Sequence, residues 1–243
     1  MMPGVLRTMA FVLLAISMLL LQGCLITRLQ TVQEQSCDLD RYFSMSFEEG
    51  MSITFLEPVL LYQDIEFLAG ITPVVQGLEG NRFQASYMLK KIGISDRPDI
   101  PVKLEFDVRE DELFLAQVAV QSPLFSIFDP AQQPLVTDTA CGARLPLWGT
   151  RIEVPISDFY QEMTHTREQI IELAGIPTSS SADGKELVYE FVLSGEGSNE
   201  LNGSVTLVYD DSGEKLLRSR AQFYHYVMGA DFDSGIAWGS LTL

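Results

Sequence analysis

The sequence predicts an α+β fold made of two tandem units, each a helix packed on an antiparallel sheet of three to four strands, set side by side or sharing a sheet. Three observations predict it. The chain repeats itself: Asp64 to Pro73 reads DIEFLAGITP and Gln169 to Pro177 reads QIIELAGIP, with Gly70 and Gly175 105 residues apart. Each copy is followed by three runs of strand character in the same order. Each copy is also bounded by residues that start and stop a helix.

The strand runs of the first copy are RFQASYMLKKI (Arg82 to Ile92), PVKLEFDV (Pro101 to Val108) and ELFLAQVAVQ (Glu112 to Gln121). Phe83, Ala85, Tyr87 and Leu89 share one face, as do Val102, Leu104, Phe106 and Val108. Those of the second copy are ELVYEFVL (Glu186 to Leu193), SVTLVYD (Ser204 to Asp210) and KLLRSRAQFYHYV (Lys215 to Val227). There Leu187, Tyr189, Phe191 and Leu193 alternate, answered by Val205, Leu207 and Tyr209. Asp210 to Gly213 reads as a hairpin turn in which glycine takes the left-handed conformation. Glu48 to Gly50 reads as another.

Thr166 is a natural N-cap for the second helix, and Gln169 can return the hydrogen bond of a capping box. Ile170, Ile171 and Ala174 supply its apolar stripe, Gly175 ends it, and Pro177 prevents its resumption. In the first copy Pro58 fits the first helical turn after Glu57, and Gly70 terminates. A short strand precedes each helix, ITFLE (Ile53 to Glu57) and RIEVPI (Arg151 to Ile156). One amphipathic helix per copy suffices to cover one sheet face.

The amino terminus carries Arg7 and then an apolar run, Ala10 to Leu21. A dozen residues cannot span a bilayer core, which takes about 20 as a helix, so the run reads as the core of a signal peptide, residues 1 to 23. It ends in Leu21, Gln22, Gly23, Cys24, which resembles the lipobox of bacterial lipoproteins, departing from it at Gln22. The resemblance implies a diacylglycerol on Cys24 and acylation of the new amino terminus, hence membrane attachment on the periplasmic side. Leu25 in the next position implies the outer membrane. Residues 24 to 36 read as a short tether, 37 to 121 as the first repeat, 122 to 149 as a linker, 150 to 228 as the second repeat and 229 to 243 as a tail.

Losing Arg7 from 16 Lys and Arg leaves 15 against 33 Asp and Glu, a net charge of −18. Such a surface repels nucleic acid and anionic headgroups. Three cysteines are present, and lipidation consumes Cys24. Cys37 and Cys141 remain as a disulfide candidate in an oxidising compartment, with two free thiols as the alternative. A bridge would close a loop of about 100 residues, a stabilisation of about 4 to 5 kcal/mol in the chain-entropy model.

The second copy resembles the SmpA/OmlA family of small outer-membrane lipoproteins, the BamE-like fold, in Thr166, Gln169, Ile170, Gly175 and Pro177. The resemblance continues in VYEF (Val188 to Phe191) and the hairpin LVYDDSGEKL (Leu207 to Leu216). It covers about a quarter of the chain. The first copy departs from it at Leu61, where the capping threonine should stand, and at Thr72 before Pro73. Two such units in tandem also resemble the architecture of β-lactamase inhibitor proteins, a likeness that transfers no function by itself. Both resemblances imply binding or scaffolding in the envelope.

Catalytic signatures are missing: the mature chain holds no G-x-S-x-G elbow, H-E-x-x-H helix, P-loop or C-x-x-C pair. His165 reads as a solvated residue at a helix start and His225 as part of an aromatic ladder on the last strand. Asp231 and Asp233 lack the ligand spacing of a calcium loop and read as a flexible acidic tail. No metal, cofactor or enzymatic activity is expected. Two segments offer a partner surface, Leu124, Phe125 and Phe128 in the linker and Phe232 and Trp238 in the tail. The expectation is a lipid-anchored module that binds an outer-membrane or periplasmic protein; the alternative is a module that holds a lipid or other small apolar ligand between sheet and helix.

Overall fold

The computed structural model describes residues 25–47, 50–94, 96–122, 151–155, 165–197 and 199–241. Helix α1 covers residues 25–36 and α2 Leu39–Tyr42. Strands β1 (Phe43–Ser46) and β2 (Met51–Phe55) form a hairpin, with Ser46 opposite Ser52. Helix α3 (Tyr62–Ala69) leads into β3 (Val74–Glu79), β4 (Arg82–Lys91), β5 (Ile100–Arg109) and β6 (Glu112–Val120). After β7 (Arg151–Pro155), helix α4 (Arg167–Ala174) leads into β8 (Ser179–Ser180), β9 (Glu186–Ser194), β10 (Glu200–Tyr209) and β11 (Leu216–Phe223). The hairpin β12 (Tyr226–Asp231) and β13 (Ile236–Leu241) follows.

These strands form one antiparallel sheet in the order β1-β2-β6-β5-β4-β9-β10-β11-β12-β13-β7, with β3 alongside β4 and β8 alongside β9, 13 strands among the described residues. The prediction of two helix-on-sheet units is therefore corrected: the protein is mainly a single antiparallel sheet with few helices. The reason lies in two half-covered edges. β3 pairs only with Arg82 to Ser86, and β8 only with Leu187 and Val188. The remaining lengths, Met88 to Lys91 and Phe191 to Ser194, pair with each other. Unpaired backbone N–H and C=O groups on an edge strand find their partners this way.

Leu89 lies opposite Leu193 and Lys91 opposite Phe191, so the apolar faces of β4 and β9 coincide. Both helices consequently pack on the same side. Beneath α3, the buried Ala85, Tyr87, Leu104, Phe106 and Leu115 meet Tyr62, Ile65 and Ala69. Tyr62, Phe83 and Phe106 form an edge-on aromatic trio with centroids 5.3 to 6.2 Å apart. Beneath α4, Leu187, Tyr189 and Tyr209 meet Ile170, Ile171 and Ala174. Leu193 and Leu201 of the second half pack against the first core, which makes the apolar layer continuous.

Local signals explain α4 fully. The Gln169 backbone N–H donates to the Thr166 hydroxyl at 3.3 Å, and the Thr166 N–H donates to the Gln169 side-chain oxygen at 2.9 Å. Gly175, at φ +79°, ends the helix. Helix α3 starts later than predicted: Pro58 lies outside it, and Leu61 is its N-cap. Leucine has no oxygen to offer the first turn, but Asp64 supplies the other half of the box by accepting from the Leu61 N–H at 2.8 Å.

Four further expectations change. Residues 25–36 are a helix, not a tether. Between Pro73 and the predicted strand at Arg82 lies a further strand, β3. The run from Lys215 to Val227 breaks into β11 and β12 at Tyr224 (φ +51°) and His225, because the chain reverses there. The predicted acidic tail is the β12–β13 hairpin, in which Asp231 accepts from the Asp233 and Ser234 N–H groups at 3.1 and 2.9 Å. The signal peptide, Cys24, the linker residues Leu124, Phe125 and Phe128, and Cys141 lie outside the described residues, as do Glu48 and Glu49 of the predicted turn.

Candidate interaction surface

Alternation that sends Tyr87, Phe106, Tyr189 and Leu207 towards the helices sends their neighbours to the other side. No helix of the described residues covers that side. Across its first half lie Ser44, Thr54, Gln117, Lys103 and Gln84, from β1 to β4. Across the second, register sets Glu190 beside Ser204, Ser204 beside Gln222, and Gln222 beside Val227. The next row reads Val188, Thr206, Arg220, Gly229, Trp238 and Glu153. Eleven strands side by side at roughly 4.8 Å spacing make a face about 50 Å wide.

Its charges are mixed: Glu105, Asp107, Glu112, Glu153, Glu186, Glu190, Glu200 and Asp231 stand on it among the cations. Arg82, Lys90, Lys103, Arg109, Arg218 and Arg220 all lie here, six of the 16 Lys and Arg, in a protein with 33 acids. At one end Arg82 donates to Glu105 at 2.6 Å, and Arg109 pairs with Asp107 at 3.1 Å while its guanidinium lies 5.5 Å from the centre of the Phe114 ring. The Glu105 hydrogen bond pushes the Arg82 pKa further up. Among the described residues, no ion pair within 4 Å includes Lys90, Lys103, Arg218 or Arg220. Trp238 lies across Gly229, where a Cβ would meet the indole Cζ2 at 2.8 Å. An aromatic side chain thus covers backbone that glycine leaves bare.

Each helix terminus is held by the opposite half, which fixes the two halves of the face to one another. At the end of α4, Lys91 forms an ion pair with Asp96 and donates to the Ile176 carbonyl oxygen at 2.9 Å. Arg97 donates to the Glu172 carbonyl, and Asp96 accepts from the Ile176 N–H at 2.7 Å. Cations from the β4–β5 connection therefore meet the negative end of the helix dipole. The Lys91 hydrogen bond, aided by the Ile176 N–H, holds the Asp96 pKa down at about 2. At the end of α3, the Glu196 N–H donates to the Thr72 carbonyl at 2.8 Å, and the Tyr224 ring lies against Gly70, where a Cβ would meet it at 2.5 Å. Gly70 has φ +74° besides, so only glycine fits this contact comfortably.

Compared with known families, curated proteins and solved structures, the chain matches none.

Of the predicted partner residues, Trp238 belongs to the open face, whereas Phe232 sits half-buried in the β12–β13 turn with its N–H bonded to the Leu217 carbonyl at 2.9 Å. The structure does not bring them onto one apolar patch. His225 is exposed in a turn, its ring 3.7 Å from that of Tyr224, and His165 precedes α4. No group of His, Cys, Asp or Glu among the described residues could hold a metal ion. Cys37 is disulfide-bonded, its partner lying outside the described residues. Sequence reasoning missed the basic residues of the open face. Their signal was available as the polar positions between Phe83, Ala85, Tyr87 and Leu89 and their counterparts.

Proposed function

We propose that this chain is a lipid-anchored lipoprotein facing the periplasm from the outer membrane, and that it binds a partner protein of the cell envelope on the sheet face that no described helix covers. The observation that carries the reading is that face: continuous across both halves, polar, and bearing interleaved basic and acidic side chains. Antiparallel sheets often leave one face to water. What favours docking here is the combination of width, mixed charge and a rigid junction, since a surface already held in shape has less to order on binding. The Leu21-Gln22-Gly23-Cys24 sequence supports the anchor. The aromatic side chains that could line a lipid pocket, Tyr62, Phe83 and Phe106, instead pack on one another, which favours a protein partner over a small apolar ligand.

Crosslinking in intact cells followed by purification of the lipidated protein tests the reading. Recovery of a defined envelope protein, lost when Arg220 and Lys103 are changed to Glu, is the expected result. A membrane fraction that yields no stable partner contradicts it.

A further inference from the structure

Helix α1 is docked along its length rather than trailing as a tether. Arg28 grips Asp64 with two hydrogen bonds of 2.6 and 2.5 Å, the Gln35 side-chain amide donates to the Glu57 carbonyl at 3.0 Å, and Leu29 and Val32 pack against the first core. The Arg28–Asp64 pair sets the start of α1 against the first turn of α3. Ile26 lies two residues before Arg28 and Phe67 three after Asp64, so both stand within about one helical turn of the pair.

Cys24 is the residue before α1 begins among the described residues. An acyl chain carried on it has at most one extended residue, about 3.6 Å, of slack before the docked helix. This end of the protein also has the chemistry of a lipid surface. Phe67 is 61% exposed and Ile26 44% exposed. Residues 25 to 33 contain no acid, although the chain holds 33, and their single charge, Arg28, is paired with Asp64. Burial and the Glu66 carboxylate, next to Phe67, raise the pKa of Tyr62.

Resting on the lipoprotein reading above, we propose that the α1–α3 end seats on the membrane, with Phe67 and Ile26 entering the interfacial region of the leaflet that holds the Cys24 lipid. Aromatic and aliphatic side chains gain from that region, and the acid-free first nine residues of α1 add no repulsion by headgroups. The anchor then orients the protein as well as holding it.

The test uses the full-length lipidated protein, purified in detergent and reconstituted into phosphatidylethanolamine–phosphatidylglycerol vesicles. A nitrobenzoxadiazole label is placed on Phe67→Cys, Ile26→Cys or, as a control on the open face, Lys103→Cys. All three positions are exposed, so the fold tolerates them. The expected result is blue-shifted emission at 67 and 26, quenched by lipids brominated near the glycerol about twofold or more beyond the label at 103. Equal quenching at all three positions, in protein whose mass shows the diacylglycerol, overturns the proposal and leaves the anchor standing. A mass without lipid overturns the anchor, and the proposal with it.

Discussion

The Lys91 side chain donates to the Ile176 carbonyl oxygen at 2.9 Å, a hydrogen bond between residues 85 apart in sequence. Lys91 stands on the strand that joins the two halves, and Ile176 follows the helix of the second, so one ammonium ties strand, loop and helix end together. Its side chain is 8% exposed. Replacing Lys91 with Met leaves the Asp96 carboxylate and the last carbonyls of α4 without their cation. Thermal unfolding of Lys91→Met is expected well below that of Lys90→Met, whose side chain is solvent-exposed on the opposite face. The same site gives a pH dependence. The Asp96 pKa falls from 3.8 to about 2 in the folded protein, so its contribution is present above about pH 4 and is lost as the pH falls towards 2. Asp96→Asn is expected to flatten that part of the acid-unfolding profile; an unchanged profile would count against the lock.

Arg28 and Asp64 form a different kind of pair, because Asp64 is only 4% exposed and also receives the Leu61 N–H. Arg28→Leu leaves a buried carboxylate without its cation, which costs about 3 kcal/mol or more. Adding Asp64→Asn to that variant is expected to restore part of the loss. Urea unfolding of the protein beginning at residue 25 measures both, and additive losses would show that the two residues are not coupled.

Tyr87 and Tyr189 occupy corresponding positions in the two halves. Their hydroxyls donate to the Ile71 and Gly175 carbonyls, at 3.0 and 3.1 Å, in the turns that follow α3 and α4. Burial raises the pKa of both, that of Tyr189 to about 12. Tyr209 is buried as well, but its hydroxyl has no hydrogen-bond partner among the described residues. Tyr87→Phe and Tyr189→Phe are each expected to cost about 1 to 2 kcal/mol, whereas Tyr209→Phe should be neutral or stabilising. Three equal effects in denaturant unfolding would contradict this assignment of the hydroxyls.

The sequence was most legible where structure is local. Thr166, Gln169 and Gly175 define α4 through contacts within a few residues of one another, and alternation around Tyr87 and Tyr189 defines strand faces. Helix α1 also left a signal that was passed over: Leu25, Leu29 and Val32 recur at helical spacing. The joining of β4 to β9 left none, because it depends on how far β3 and β8 extend along their neighbours. Likewise Lys91 reads as an ordinary strand charge, and Asp96 and Arg97 as loop charges, until the β4–β9 pairing brings them to the end of α4. The open face was half legible, in the polar alternate positions, but its continuity across both halves follows from the same pairing.

Cys37 is engaged in a disulfide, and Cys141 is the partner we propose, since Cys24 is assigned to the lipid. Alkylation of the denatured protein beginning at residue 25 is expected to label no thiol before reduction and two after it. Two reactive thiols without reductant would refute the pairing.

The most direct test of the central claim is site-specific photocrosslinking in living cells. A photoreactive amino acid is placed at Gln84, Ser204 or Gln222 on the open face, and at Glu172 on the outer side of α4 as the contrast. We expect the three sheet positions to yield one common crosslinked protein and Glu172 to yield none. Crosslinks to that protein from Glu172, with none from the sheet positions, would contradict docking on this face.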